Sequence, residues 1–299
     1  MNTASLPMNS TNVRKFIALN SLRTGLGLAA RLSRPLALAW AERLFLTPPR
    51  HDWPAAEQGW RDRAEQGVLH TAGLPQPEWD GKPMRTYRWG EARRGKVAVL
   101  HGWGGRATQF HAFVAPLVAA GYQVIGIDAP AHGASAGRQA SVLHFAHALE
   151  RLLRNEGHVD ALIAHSLGGP AAIYALATAR LDVDRVALIA PAIDVAAYAR
   201  QVARLLGLDD GLRDAMQLRM ETRFGIQWRE LHGAARAAQL RQPALIVHDR
   251  GDREVPSAAG VAIAEAWPGA QLQLTDGLGH NRILRDAAVV ERVIEFVRG

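Results

Sequence analysis

One serine, Ser166, stands in the run VDALIAHSLGGPAAIYAL between an apolar stretch and a glycine pair, and its hydroxyl could attack a carbonyl carbon. A serine hydroxyl does this only when a neighbouring base takes its proton. The reading therefore turns on whether a base, an acid and donors for an oxyanion occur elsewhere in the chain. ALIAH reads as a strand and LGGPAAIYALATA as a helix, with Ser166 at the tight turn between them. Such a turn needs small neighbours, and Ala164, Gly168 and Gly169 supply them; the pattern G-x-S-x-G is met as A-H-S-L-G. The helix start adds positive potential that favours an anion. Serine is also a good helix N-cap, so this window alone leaves two roles open.

Three further windows carry the missing groups. In VAVLHGWGG, residues 97–105, a strand runs into a glycine-rich loop containing His101, Gly102, Trp103 and Gly104. Such a loop can aim a backbone N–H at a developing oxyanion, from Trp103 on this side and from Leu167 beside the serine; the plainer reading is a flexible turn. In ALIVHDRGDREVP, Asp249 and Asp252 follow a strand, where a carboxylate could orient a histidine or make local turn hydrogen bonds. In QLTDGLGHNRIL, His280 sits in a glycine-rich loop before the last helix. It is the one of twelve histidines placed late enough to complete the order serine, acid, base. His111, His144 and His147 fall on predicted helices and read as packing or surface residues. His132 and His165 flank the site closely but at places in the chain that do not suit the base.

These windows need a scaffold. Short apolar runs at 96–100, 122–127, 161–164, 185–190, 244–248 and 271–274 alternate with helical patterns near 107–120, 140–155, 167–180, 258–267 and 285–298. That alternation predicts a parallel sheet with helices on both faces, and the unbroken apolarity of the runs suits strands buried on both sides. Chemistry in such sheets gathers at the carboxyl ends of the strands, where all four windows fall. Asp80-Gly81 reads as a hairpin turn between two short strand-like runs. Residues 195–243 are too long for an ordinary connection and predict a helical lid. Its Leu205, Leu206, Leu208, Met216, Met220, Phe224 and Trp228 could face a hydrophobic substrate or the sheet. Residues 1–12 are small and polar and predict a frayed end, and Val13–Leu46 follow a helical pattern, with a second helix starting at Ser33 and Pro35 and ending at the prolines 48–49. The expected domains are an N-terminal helical arm (1–65), a core in two parts (66–194 and 244–299) and the lid between them (195–243).

Composition narrows the class. The chain has 299 residues, 48% of them hydrophobic, and no cysteine, which excludes disulfides, thiolate metal sites and a cysteine nucleophile. The net charge of +7 is concentrated in the arm, where seven basic residues precede Asp52 against the single acid Glu42. No basic stripe is interleaved with aromatics, so nucleic acid is not an expected partner. The arm could pack on the domain or rest its basic face on a membrane surface. No apolar run is long enough to span a bilayer and no signal peptide is apparent, so a cytoplasmic protein, in the second case peripheral to the membrane, is expected. No H-E-x-x-H pattern or carboxylate cluster at ligand spacing implies a metal, and no organic cofactor is implied.

Taken in order, these motifs resemble those of the alpha/beta-hydrolase superfamily from about residue 80 to the C-terminus. DAPAHGASAG (128–137) is similar to that family's D-x-P-x-H-G-x-S loop, and GDREVP and GLGH to its acid and histidine loops. The resemblance implies a mostly parallel, doubly wound, eight-stranded α/β sheet with a helical lid inserted after strand 6. It implies Ser166 as nucleophile, His280 as base, Asp252 as acid, and the Trp103 and Leu167 N–H groups as oxyanion hole, with His101, Gly102, Gly104 and His165 supporting them. Some members take the acid from the preceding loop, where Asp194 stands. A serine at position 166 argues against epoxide and haloalkane hydrolysis. The implied activity is hydrolysis of a small or medium hydrophobic carboxylic ester through an acyl-enzyme. The same triad would serve an acyltransferase, a thioesterase or a carbon–carbon bond hydrolase, and the same fold a non-catalytic ligand-binding protein.

Overall fold

The computed structural model describes residues 10–73, 79–192 and 194–299, with side chains from residue 19 onward. The polar residues 1–9 lie outside that range; residues 10–12, expected to fray, already belong to the first helix. Two compact units form, one from the chain up to Phe45 together with Ala196–Ile226, the other from Leu46–Val195 and Gln227–Gly299.

Numbered along the chain, the larger unit begins with α3 (Ala55–Asp62), β1 (Glu65–His70), β2 (Pro83–Trp89), β3 (Gly95–Leu100), α4 (His111–Ala119) and β4 (Tyr122–Ile127). It goes on through α5 (Val142–Glu156), β5 (Val159–His165), α6 (Gly168–Thr178) and β6 (Val183–Ile189). It ends with α9 (Gly233–Ala237), β7 (Ala244–Asp249), α10 (Ala258–Ala266), β8 (Gln271–Thr275), α11 (Gly279–Arg282) and α12 (Ala287–Arg298). The strands make one eight-stranded sheet in the order β1-β2-β4-β3-β5-β6-β7-β8. β2 runs antiparallel to both β1 and β4, and every other pairing is parallel.

The apolar runs explain this arrangement. Because successive side chains on a strand point to opposite faces, a strand covered on both sides must be apolar throughout. Val97, Val99, Ile163, Ile189 and Val247 join Phe113 of α4 and Val293 and Phe296 of α12 in one buried cluster. Their neighbours Ala98, Leu100, Leu162, Leu188 and Ile246 are equally buried on the opposite face, where α5, α6, α9 and α10 pack in succession.

The N-terminal edge of the sheet is an antiparallel pair. Its first strand is β1 at 65–70, paired antiparallel with β2, while most of the run expected just before Asp80 lies outside the described residues. Thr71 closes the neck: its N–H donates to Lys82 O (3.0 Å), and its Oγ1 accepts from the Lys82 N–H (2.9 Å). Gly81, with φ 67°, keeps its role as a turn residue. β1 escapes sequence reading because EQGVLH is a half-exposed edge strand with no buried alternation to betray it.

The smaller unit is helical: α1 (Ser10–Leu32), α2 (Arg34–Leu46), α7 (Val195–Leu206) and α8 (Asp210–Phe224). α1 and α2 form a helical hairpin that turns at Ser33, with Pro35 in the first turn of α2, where its missing N–H is harmless. Gly25 lets the two helices approach, since a Cβ there would stand 2.8 Å from the Trp40 ring. Ala29 and Ala37 cluster with Leu212 of α8. Glu42, buried, pairs with Arg223 and with Arg219 (2.6 Å), and the Arg23 Nε donates to Leu205 O (2.7 Å). α8 is capped by the Asp209 carboxylate on the Leu212 N–H (2.7 Å) and ends at Gly225, φ 66°. Leu206, Met216, Met220 and Phe224 are buried, while Leu205 is half exposed.

Candidate active site

Ser166 is the single residue between β5 and the Leu167 cap of α6, and it holds φ 53°. A non-glycine residue there is strained by roughly 1–2 kcal/mol, so its surroundings must enforce it. They do so by crowding. A Cβ on Gly102 would stand 2.7 Å from the Ser166 Cβ, and one on Gly168 would stand 2.6 Å from the carbonyl oxygens of Leu100 and His101. The Ser166 N–H donates to Ile189 O (3.1 Å), and its carbonyl accepts from the N–H groups of Gly169 (2.9 Å) and Ala192 (3.2 Å). Among the described residues, the other non-glycine positions with positive φ are Ala131 and Ala190, which follow β4 and β6. Strain therefore collects beyond the carboxyl ends of three strands, β4, β5 and β6.

His280 reaches this serine from α11. Its Nε2 lies 2.9 Å from the Ser166 Oγ and its Nδ1 lies 2.7 Å from the Asp252 Oδ2. A carboxylate can only accept, so Nδ1 carries the proton and Nε2 presents a lone pair to the serine hydroxyl. Asp252 is itself held firmly: its Oδ1 accepts from the N–H groups of Glu254 (2.8 Å) and Val255 (2.9 Å). Burial pushes its pKa up, but the histidines His248 and His280 and the Val255 N–H outweigh that and hold it well below the usual carboxylate range. Asp194, the other acid considered, lies beside His232 (3.8 Å).

The supporting histidines are neutral spacers. His165 donates from Nε2 to His280 O (2.9 Å), and burial together with neighbouring His280 lowers its pKa to about 3. His101 donates from Nδ1 to Gly102 O (2.7 Å) and accepts at Nε2 from the Ala129 N–H (3.0 Å), with burial and His132 keeping its pKa well below the ordinary value. His101 thus ties the glycine loop after β3 to the loop after β4. The Trp103 ring in the same loop packs edge-on to His132 (5.1 Å) and stacks near Phe145 (6.4 Å), both of which are buried. Leu167 sits at the N-cap of α6 with φ −59°. His111 opens α4, while His144 and His147 lie on α5.

Several groups around the site carry no sequence signal of their own role. Asp249, buried, accepts from Gly251 N–H (2.9 Å), Thr275 Oγ1 (2.9 Å) and Leu278 N–H (2.9 Å), so it clamps the loop that carries His280. Burial raises its pKa, but the N–H groups of Leu278 and Gly279 prevail and hold it below the ordinary value. His248, fully buried, donates from Nε2 to Val255 O (3.0 Å) and lies 3.4 Å from the Asp252 Oδ2. Asp128 accepts from the N–H groups of Ala107 and Ala134 (2.8 Å each) and from the Tyr87 hydroxyl (2.9 Å); burial raises its pKa to about 6. Arg106 ends the glycine loop in a buried pair with Glu57 (3.1 Å), its guanidinium 4.6 Å from the Trp53 ring centre. An open groove of about 590 Å³ runs between the acid and histidine loops, with Arg253, Glu254, Leu278, His280, Asn281 and Arg282 among its walls.

A family model described as "Serine aminopeptidase, S33" matches residues 91–222, a span that includes Ser166. No curated protein matches the chain. Among solved structures, a putative lipase from Acinetobacter baumannii is similar at 15% identity with a TM-score of 0.62, covering 84% of this chain and 97% of that one. A monoacylglycerol lipase from Paleococcus ferrophilus is similar at 21% identity and TM-score 0.57, covering 72% and 98%. A thioesterase domain from the curacin biosynthetic pathway is similar at 15% identity and TM-score 0.56, covering 79% and 99%. At these identities the likeness to solved structures is one of fold.

Proposed function

We propose that this chain, which has the fold of the alpha/beta hydrolases and matches a hydrolase family model over residues 91–222, is a serine hydrolase cleaving small or medium hydrophobic carboxylic esters through an acyl-enzyme. The observation that carries this reading is the continuous hydrogen-bond chain from Ser166 Oγ through His280 (2.9 Å) to Asp252 (2.7 Å). Ser166 attacks the ester carbonyl as His280 Nε2 takes its proton. Asp252 remains ionised, fixes the tautomer of His280 and stabilises the imidazolium that forms. The N–H groups of Trp103 and Leu167 receive the oxyanion, a contribution of roughly 10²–10³ in rate per donor. His280 returns the proton to the departing alcohol, then activates water to release the acid. Similar structures described as a putative lipase, a monoacylglycerol lipase and a thioesterase domain support the same reaction class.

Labelling with a fluorophosphonate probe, alongside turnover of short p-nitrophenyl esters, tests the proposal. Wild-type protein is expected to label and to hydrolyse, and Ser166→Ala to do neither. Absence of labelling in folded wild-type protein, or labelling that survives in Ser166→Ala, overturns it.

A further inference from the structure

We propose that the tip of the α1–α2 hairpin is a docking surface for anionic phospholipid membranes. Large apolar side chains are exposed there in a group: Leu28 is 53% exposed, Leu32 85% and Leu36 60%. Leu28 and Leu32 are one turn apart and share a face of α1, and Leu36 follows directly across the turn at Ser33. A single exposed leucine needs no explanation, but three around one turn form a projecting apolar end.

The charges around that end decide what it fits. Arg31 and Arg34, both exposed, flank the leucines, and among the described residues neither forms an ion pair. No acidic residue occurs in the chain before Glu42, which is buried and already held by Arg219 and Arg223. The hairpin tip thus presents its leucines beside Arg31 and Arg34, the Arg34 guanidinium lying near the first turn of α8, where a Cβ on Gly211 would stand 3.2 Å from it and 3.4 Å from the Asp209 carboxylate. A second copy of this chain would bring the same positive face against it, whereas an anionic bilayer offers both an acyl region for the leucines and phosphates for the guanidinium groups. No helix among the described residues is long and apolar enough to cross a membrane, so the contact lies in the interface plane. This proposal stands independently of the ester-hydrolase reading.

Flotation of the full chain with liposomes tests it, using phosphatidylcholine alone and phosphatidylcholine with about one-third phosphatidylglycerol. Wild-type protein is expected to float with the anionic liposomes and to be released as salt rises, since surface charges are screened. Leu28→Gln/Leu32→Gln/Leu36→Gln, which keeps helix-compatible residues at exposed positions, is expected to bind at least tenfold less. Arg31→Gln/Arg34→Gln is expected to bind several-fold less and to lose most of the salt dependence. Val68→Gln, on the exposed edge strand β1, is the control and floats as wild type does. Circular dichroism and turnover of a soluble ester should be unchanged in all variants. The proposal is overturned if wild-type protein does not float with anionic liposomes, or if the leucine variant floats as well as wild type. It is also overturned if light scattering shows a wild-type dimer that the leucine variant loses while flotation is absent.

Discussion

Histidine meets aspartate at both ends of this sheet, with opposite consequences. At the carboxyl ends His280 and Asp252 are 2.7 Å apart, with side chains only 6% and 0% exposed. At the amino ends His158 lies 3.1 Å from Asp182 and 3.4 Å from Asp184, with side chains 48%, 72% and 57% exposed. The residue types are the same, and so are the distances within a few tenths of an ångström. What differs is burial and what stands on the far side of the imidazole. His280 turns its second nitrogen to a serine in strained backbone, whereas His158 turns both nitrogens to water-exposed carboxylates. Water screens the second arrangement, and no nucleophile adjoins it. On the proposed reading, a histidine–aspartate pair serves catalysis where the fold dries it and gives it a third member.

The sharpest contrast comes from removing one member at each end. His280→Ala is expected to lower kcat on p-nitrophenyl esters by about 10⁶, the scale at which triad bases act. Asp252→Asn is expected to lower it by about 10⁴, because the amide can favour the wrong tautomer of His280. His158→Ala and Asp182→Asn should leave kcat within a factor of two. Equal losses at the two ends would break the comparison.

Asp249 tests whether the dry end is held by more than its reacting groups. Asp249→Asn turns an amide NH₂ toward backbone N–H donors on at least one side, so the variant should be less stable by roughly 2–3 kcal/mol in urea unfolding. His280 rides on the loop it clamps, and kcat should fall about tenfold with it. The folded pKa of Asp249 is depressed, so its contribution is fully present above the unfolded value near pH 3.9 and fades as pH falls through the folded one. Stability of wild type and Asp249→Asn should therefore converge in strong acid.

Asp249 also marks where sequence reading stops. Ser166, Asp252 and His280 are legible because each belongs to a short motif whose residue types state their chemistry, and the four windows share one order along the chain. The strands β3 to β7 are legible because burial on both faces demands mostly unbroken apolarity, as in VAVL and ALIV. Asp249 looks like any loop aspartate; its partners Thr275 and Leu278 come from another strand and loop, and only the sheet register brings them within reach. β1 is silent for the opposite reason, since an exposed edge strand is not constrained to be apolar. The clustering of residues up to Phe45 with Ala196–Ile226 is a long-range fact: periodicity announces amphipathic helices but not which helix each will meet.

A smaller effect is expected at His248, which touches Asp252 from behind. His248→Leu removes its hydrogen bond to Val255 O and its approach to the Asp252 carboxylate, while the Glu254 and Val255 N–H groups still hold the other oxygen. Loss of about 1 kcal/mol of positioning corresponds to roughly a fivefold fall in kcat, with KM unchanged. A fall as large as that of Asp252→Asn would mean that the acid works through His248 as much as through His280.

The smallest effect belongs to His158 itself, and it has a direction in pH. The hydrogen bond to Asp182 is the main cause of its raised pKa, with the charge of Asp184 adding to it. The folded state therefore binds the proton more tightly than the unfolded chain does. The resulting stabilisation is fully present below the unfolded value near 6.5 and disappears as pH rises through the folded value. At so exposed a site it should amount to no more than about 0.5 kcal/mol. Urea unfolding of wild type and His158→Gln is expected to differ at pH 5.5, to agree at pH 8.5, and to differ less at pH 5.5 when salt is added. A gap that widened with rising pH would reverse the sign of the linkage and with it the assignment of Asp182 as the cause. A gap of several kcal/mol would mean that water does not weaken this pair, and that burial is not what separates the two ends of the sheet.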